Sequence, residues 1–264
     1  MSQSQRIIKN LAIALAIFLA TTIIGSIFYG IASFINIFSK EDIPFKTIEI
    51  KEEINSLNID LSSTSLVIKE GKKFNIETNN KYIKANVNLE ELKLEEKGHY
   101  LFKNNNTKLI ITVPEEQIFK TTSLSTGIGK VEIDSLTTDE IDFKLGTGKV
   151  DIKKLKVLNK TKIEGGVGEI NITDSDISNL DGEIGVGSIS LTSILRGTNK
   201  IESGIGEVNI NLIGTKKDYK LSLEKGLGKI MIDNITVDDK TYGEGTNYLK
   251  LEGGIGDIKV YFNE

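Results

Sequence analysis

From residue 121 onward, branched apolar and polar residues alternate in short runs, and each run begins at a Gly-x-Gly pair. The seven copies are Gly127-Ile-Gly-Lys-Val-Glu-Ile133, Gly146-Thr-Gly-Lys-Val-Asp-Ile152, Gly166-Val-Gly-Glu-Ile-Asn-Ile172, Gly185-Val-Gly-Ser-Ile-Ser-Leu191, Gly204-Ile-Gly-Glu-Val-Asn-Ile210, Gly226-Leu-Gly-Lys-Ile-Met-Ile232 and Gly254-Ile-Gly-Asp-Ile-Lys-Val260. Their second glycines are Gly129, Gly148, Gly168, Gly187, Gly206, Gly228 and Gly256, so the steps are 19, 20, 19, 19, 22 and 28 residues. Two and four places after each second glycine stand Val131 and Ile133, Val150 and Ile152, Ile170 and Ile172, Ile189 and Leu191, Val208 and Ile210, Ile230 and Ile232, and Ile258 and Val260. All are aliphatic and nearly all β-branched, with polar residues between them in six copies. That period of two marks a strand with one buried face.

The position three before each first glycine is apolar in six copies, which predicts a second strand ahead of each corner. Seven residues after the second glycine, Leu136, Leu155, Ile194, Ile213 and Ile235 predict a third inward point, with Ser175 as the exception. Two or three short strands per ~20 residues form one coil of a solenoid. The expected fold is all-β: a right-handed parallel β-helix or β-solenoid, preceded by one transmembrane helix. Glycine at the corner allows a positive φ and close approach of neighbouring coils. The residue between the glycines is expected to point inward and fill the corner.

The predicted organisation is a cytoplasmic tail (1–10), a transmembrane signal anchor (11–38), a linker (39–46), irregular β coils with an N-terminal cap (47–120), and the repeats (121–264). Strand-like runs at Thr47–Lys51, Leu57–Leu61, Leu66–Lys69, Phe74–Thr78 and Leu109–Val113 support the irregular coils. The 28-residue step predicts a projecting loop near Val237–Asn247. The chain ends at Tyr261-Phe-Asn-Glu264 with little room for a cap, which keeps end-to-end self-association open.

No charge falls between Asn10 and Ser39, and 21 of the 28 residues in Leu11–Phe38 are apolar. That length suits a bilayer span better than the ~7–15-residue core of a cleaved signal peptide. Arg6 and Lys9 precede the run. The short tail and large C-terminal part favour a cytoplasmic N-terminus and an extracytoplasmic domain.

Charge and composition exclude more than they reveal. Beyond Ser39 lie all 37 acidic residues and 31 of the 33 basic ones, so that part carries about −6, which argues against a nucleic-acid partner. There is no cysteine, hence no disulfide and no thiolate metal site. The Gly-x-Gly pairs lack the third glycine and following helix of a dinucleotide site, and Gly129-Lys, Gly148-Lys and Gly228-Lys lack the Ser or Thr of a P-loop. The ~20-residue period and Ile258 do not fit the calcium-binding nonapeptide repeat. Asp238, Asp239 and Glu244 read as a solvated loop, His99 as a surface residue, and Glu90, Glu91, Glu95 and Glu96 as a solvated face. The one arginine beyond the tail is Arg196, so the Asp and Arg cluster of a β-helical lyase is missing. No catalytic residue, cofactor or metal ligand is expected.

Together the membrane segment and the repeated Gly-x-Gly-x-Ile/Val-x-Ile/Val resemble the bacterial "putative adhesin" family of domains of unknown function, including LiaG-like proteins, over residues 47–263. The resemblance implies a β-helical fold and offers no catalytic residues. The expected role is a non-enzymatic binding or scaffold module of the cell envelope, held in the lipid bilayer through residues 11–38. It would be an accessory of envelope-stress sensing that docks on a membrane protein. Two alternatives stand beside it: a surface adhesin for glycan or wall polymer, and a self-assembling β-helical structural protein.

Overall fold

The computed structural model describes residues 43–98 and 107–263, together with Thr22. The proposed anchor (11–38), apart from Thr22, and His99 lie outside the described residues. Among those described, no helix is long and apolar enough to cross a membrane.

Between Ile43 and Asn263, every element among the described residues is a strand. β8 (Ile118–Ser178) stays extended through the first three coils, and β9 (Leu180–Arg196) and β10 (Thr198–Ile213) make one coil each. β8 pairs with β9, and β9 with β10, in parallel, with glycine opposite glycine at Gly168, Gly187 and Gly206. Like residues therefore stack on like, because each coil repeats the pattern of its neighbour. The aliphatic rungs point into one continuous core that runs from Ile54 to Val260.

The third inward point slips partway along the stack. Leu136, Leu155 and Ser175 are buried seven places after the second glycine. A β-bulge between Ile172 and Ser175, with Asp174 at φ 48°, then shifts the register, so Ser175 faces Ser193. In the next coils Ser193, Leu195 and Leu212 turn inward, while Ile194 and Ile213 are only half-buried. The expected inward places of Ile194 and Ile213 are corrected accordingly, as is that of Ile235, which is exposed; one residue fewer between the second rung and the next inward position puts the following side chains of that strand on the other face.

Both ends of the stack depart from chain order. At the C-terminal end come β11 (Tyr219–Leu227), β12 (Ile230–Ile232), β13 (Ile235–Val237), β14 (Lys240–Tyr242), β15 (Asn247–Ile255) and β16 (Ile258–Asn263). β15 lies between β10 and β11, and β16 between β10 and β12, all in parallel. The last coil in the chain is thus tucked beneath the one before it. β14 runs antiparallel to β11 and β13 antiparallel to β12, forming the outer layer.

The N-terminal end follows the same plan. β2 (Ser56–Leu61) and β3 (Ser65–Gly71) make a coil that pairs in parallel with β8 on one side. On its other side lie β6 (Glu91–Glu96) and β7 (Lys108–Pro114), again parallel. Beyond these, β5 (Ile83–Asn88) and β4 (Asn75–Thr78) pair antiparallel, with β1 (Lys46–Ile48) outside β4. Two-residue turns make the capping hairpins: Leu89-Glu90 (φ 49° and 64°) for β5–β6, and Asp233-Asn234 (φ 48° and 66°) for β12–β13.

Two expectations fail at the C-terminal end. The 28-residue step is no projecting loop; it carries β13 and β14 and lets the chain double back. The C-terminus is not an uncapped end, because β16 is interior and antiparallel strands cover the terminal coil. Such strands blunt an edge that parallel stacking would otherwise leave open. The sequence premise for end-to-end self-association is therefore removed.

Candidate functional site

The Gly-x-Gly pairs build one corner of each of the seven repeat coils. Second glycines such as Gly148 adopt φ +153°, a region L side chains rarely enter, and a Cβ there would meet Gly129 O at 1.9 Å. First glycines are held by the same stacking: a Cβ on Gly204 would meet Gly185 O at 2.5 Å. The coil below the repeats continues the corner without glycine, as Ser62-Ser63-Thr64 beneath Gly127 and Gly129.

Of the fourteen aliphatic rungs, thirteen are buried and Ile232 is half-buried. Ile232 belongs to the outermost parallel coil, where with Ile235 and Val237 it lines an apolar cavity of about 300 Å³. The rungs extend beyond the repeats, since Leu66 and Ile68 stack on Val131 and Ile133, and Leu109 and Ile111 on Leu66 and Ile68.

The residue between the glycines does not fill the corner. Ile128, Ile255 and Leu227 are 52%, 43% and 56% exposed, and Thr147, Val167, Val186 and Ile205 are half-buried. The second glycine has a positive φ at Gly148, Gly168, Gly187, Gly206, Gly228 and Gly256, where the apex turns outward, and Ile128 turns outward beside Gly129 as well; Leu145, Ile184 and Ser203, just before the first glycine, take the inward place. An aliphatic column therefore runs along the outside, with Val167 opposite Val186, Val186 opposite Ile205, Ile205 opposite Ile255 and Ile255 opposite Leu227.

Beside it stands a row of glutamates. Glu164 faces Glu183, Glu183 faces Glu202, Glu202 faces Glu252, and Glu252 faces Glu224. With the glycine backbone Glu164, Glu183, Glu202 and Glu252 line a shallow groove of about 600 Å³. In-register strands bring these carboxylates to a spacing of about 4.8 Å. Lysines two residues earlier compensate part of that charge. Lys162 binds Glu164 at 2.6 Å, and Lys200 binds Glu202 and, at 3.2 Å, Glu252. Lys250 donates to Glu252 at 2.8 Å; that bond, aided by Lys200, holds the Glu252 carboxyl far below the usual range, at about 2. The coil of Glu183 carries Asp181 at the lysine position, and Glu183 has no ion-pair partner among the described residues.

On the column's other flank, Glu169, Ser188, Glu207 and Asp257 follow the second glycines. Lys149 reaches Glu169 at 3.3 Å, and Lys259 pairs with Glu207. Carboxylates thus border the aliphatic column on both sides at Val167, Ile205 and Ile255, and on one side at Val186. The sequence shows the glutamate row two places before the last five of the seven first glycines, a position that the search for inward-facing residues passes over.

One acidic residue of the supposed solvated face is built into the fold. Glu96 Oε2 accepts the backbone N–H groups of Ser62, Ser63 and Thr64 at 2.8, 2.9 and 3.1 Å, and its Oε1 accepts from Ser63 Oγ and Asn80 Nδ2 at 3.2 and 2.9 Å. Burial pushes this carboxyl up, but the donated hydrogen bonds outweigh it and the group lies below its ordinary value. It closes the corner column at the N-terminal end. Among the described residues, no group of three or more His, Cys, Asp or Glu side chains is placed to hold a metal ion.

A family model described as Toastrack DUF4097 matches residues 46–244. Solved structures are similar to the chain over most of both lengths. One is a "putative adhesin" from Bacteroides fragilis, 19% identical with TM-score 0.45, covering 84% of this chain and 98% of that one. A "putative lipid binding protein" from Parabacteroides distasonis is 18% identical with TM-score 0.42, covering 82% and 96%. A "putative cell adhesion protein" from Clostridium sporogenes is 18% identical with TM-score 0.37, covering 83% and 99%. No curated protein sequence matches the chain.

Proposed function

The chain belongs to the Toastrack DUF4097 family, and from that premise we propose that it is a membrane-anchored, extracytoplasmic β-solenoid serving as a non-enzymatic binding or scaffold module of the bacterial cell envelope. The observation that carries the reading is the corner surface: an outward-facing aliphatic column, half-buried at Val167, Val186 and Ile205 and exposed at Ile255 and Leu227, bordered by in-register carboxylates over several coils. Stacking alone requires the glycines and the inward rungs, but not an aliphatic side chain at an outward apex. Apolar surface kept in line along a rigid stack suits docking.

Anchoring through residues 11–38, with the N-terminus inside, rests on that segment's length and lack of charge. A right-handed coil follows from the chirality rule for parallel crossovers. Within the envelope the module docks on a membrane partner as an accessory of stress sensing, and the corner is the docking face.

Two experiments test this. A photo-crosslinking residue at Val186 in intact cells should give discrete adducts, and the same probe at Lys156, away from the corner, should not. Equal or absent adducts at both sites would remove the corner from the reading. A C-terminal tag on wall-stripped cells should be cut by added protease; a resistant tag would reverse the topology.

A further inference from the structure

The aliphatic column has a flank pattern that selects one kind of occupant. Val167 stands between Glu164 and Glu169, Ile205 between Glu202 and Glu207, and Ile255 between Glu252 and Asp257. Val186 has Glu183 on one side. The complement of an apolar stripe with acids on both sides is an apolar stripe with cations on both sides. A basic amphipathic helix presents that arrangement, with Lys and Arg along the edges of its apolar face. The spacing also fits: the rungs repeat at about 4.8 Å and a helix at about 5.4 Å per turn. One apolar residue per turn meets one rung over about three turns.

We propose that the Gly-x-Gly corner between Val167 and Leu227 is a docking surface for a basic amphipathic helical segment of another polypeptide. This rests on the binding-module reading and names its partner's chemistry. An anionic membrane surface would be opposed by the glutamate row, whose charge Lys162, Lys200 and Lys250 offset only in part. A neutral glycan would leave Glu183 without counter-charge, and the column holds no aromatic ring for a sugar to stack on. Helices lying in apolar grooves are recognised through residues one turn apart, the spacing that these rungs present.

The test uses the full-length protein in nanodiscs of neutral phosphatidylcholine, with empty discs as background. The probe is a fluorescent 18-residue Leu/Lys peptide patterned as an amphipathic helix. Its comparators are an isomer of scrambled order and a Leu/Glu counterpart. The patterned Leu/Lys peptide should bind at least tenfold tighter than either, and its affinity should fall as salt rises. A Val186→Ser/Ile205→Ser double variant, and separately a Glu183→Gln/Glu202→Gln variant, should each lose tenfold or more while melting like wild type. Equal binding of the scrambled isomer, or unchanged binding by both variants, would overturn the proposal. Adducts from the Val186 probe in cells, without corner-dependent peptide binding, would overturn the helical partner alone and leave the docking face standing.

Discussion

A Cβ placed on Gly148 would lie 1.9 Å from the carbonyl oxygen of Gly129, whereas a Cβ on Gly129 would meet nothing closer than Thr64 O at 3.6 Å. The two glycines hold the same place in consecutive repeats, yet stacking constrains only one. Gly148 also has φ +153°, and Gly129 lies outside the left-handed region. Gly148→Ala should therefore cost several kcal/mol through backbone strain and displacement of the coil below. Gly129→Ala should be neutral or stabilise by up to about 1 kcal/mol, because alanine narrows the unfolded ensemble. Denaturant midpoints of the two variants decide it; equal losses would contradict this stacking of one corner on the next.

Glu96 makes a pH-dependent contribution to stability. Its folded carboxyl lies below the ordinary value, held there by the N–H groups of Ser62, Ser63 and Thr64 against the opposing effect of burial. A depressed folded value means that stabilisation is fully present above the unfolded carboxylate range and is lost as pH falls through the folded one. Glu96→Gln should cost about 1–3 kcal/mol at pH 7. The gap to wild type should close on acidification below that range, and chemical denaturation at both pH values measures it. A gap that persists or widens at low pH would count against the carboxylate as the stabilising form.

Much of the fold was legible in the chain, for a physical reason. Each coil must bury the same face against its neighbours, so the glycine and aliphatic periods repeat in the sequence. What escaped depended on a coil's place in the stack. Ser62-Ser63-Thr64 forms the same corner without glycine, since the layer beneath it supplies the Glu96 carboxylate in place of a backbone carbonyl. The tucking of β15 and β16 beneath β11 and β12 leaves no local signal beyond the long last step, because the rungs Ile258 and Val260 suit either order. The outward turn of Val186 and Ile205 depends on the backbone at the second glycine, and an aliphatic residue there reads as core from composition alone. The glutamate row was visible at a fixed offset, yet a row of solvated charges and a docking flank look alike without the apolar column between them.

The β5–β6 hairpin turns on Leu89-Glu90, both at positive φ, with Leu89 93% exposed. Two-residue hairpin turns of this kind favour Asn or Gly, and leucine suffers a steric penalty in the left-handed region. Nothing packs on the exposed side chain in return. Leu89→Asn should stabilise by about 0.5–1 kcal/mol. Glu90 should be left in place, because its carboxylate accepts a hydrogen bond from Asn55 Nδ2 and pairs with Lys120. A higher melting temperature checks the prediction, and a lower one would mean that Leu89 has a contact of its own.

Val150 and Ile255 separate the two faces of the repeat. Val150 is 5% exposed in the inward ladder, and Ile255 is 43% exposed in the outward column. Val150→Asp puts an unpaired carboxylate into the continuous core, a class of change that costs several kcal/mol. Ile255→Ser removes a side chain that already meets solvent, so its cost should stay within about 0.5 kcal/mol. An inward corner residue, as alternation alone suggests, would make Ile255→Ser costly too, since truncating a buried isoleucine leaves a cavity worth about 2–5 kcal/mol. Urea denaturation of the two variants distinguishes these geometries. A large loss for Ile255→Ser would restore the filled corner and remove the apolar column on which the docking surface depends.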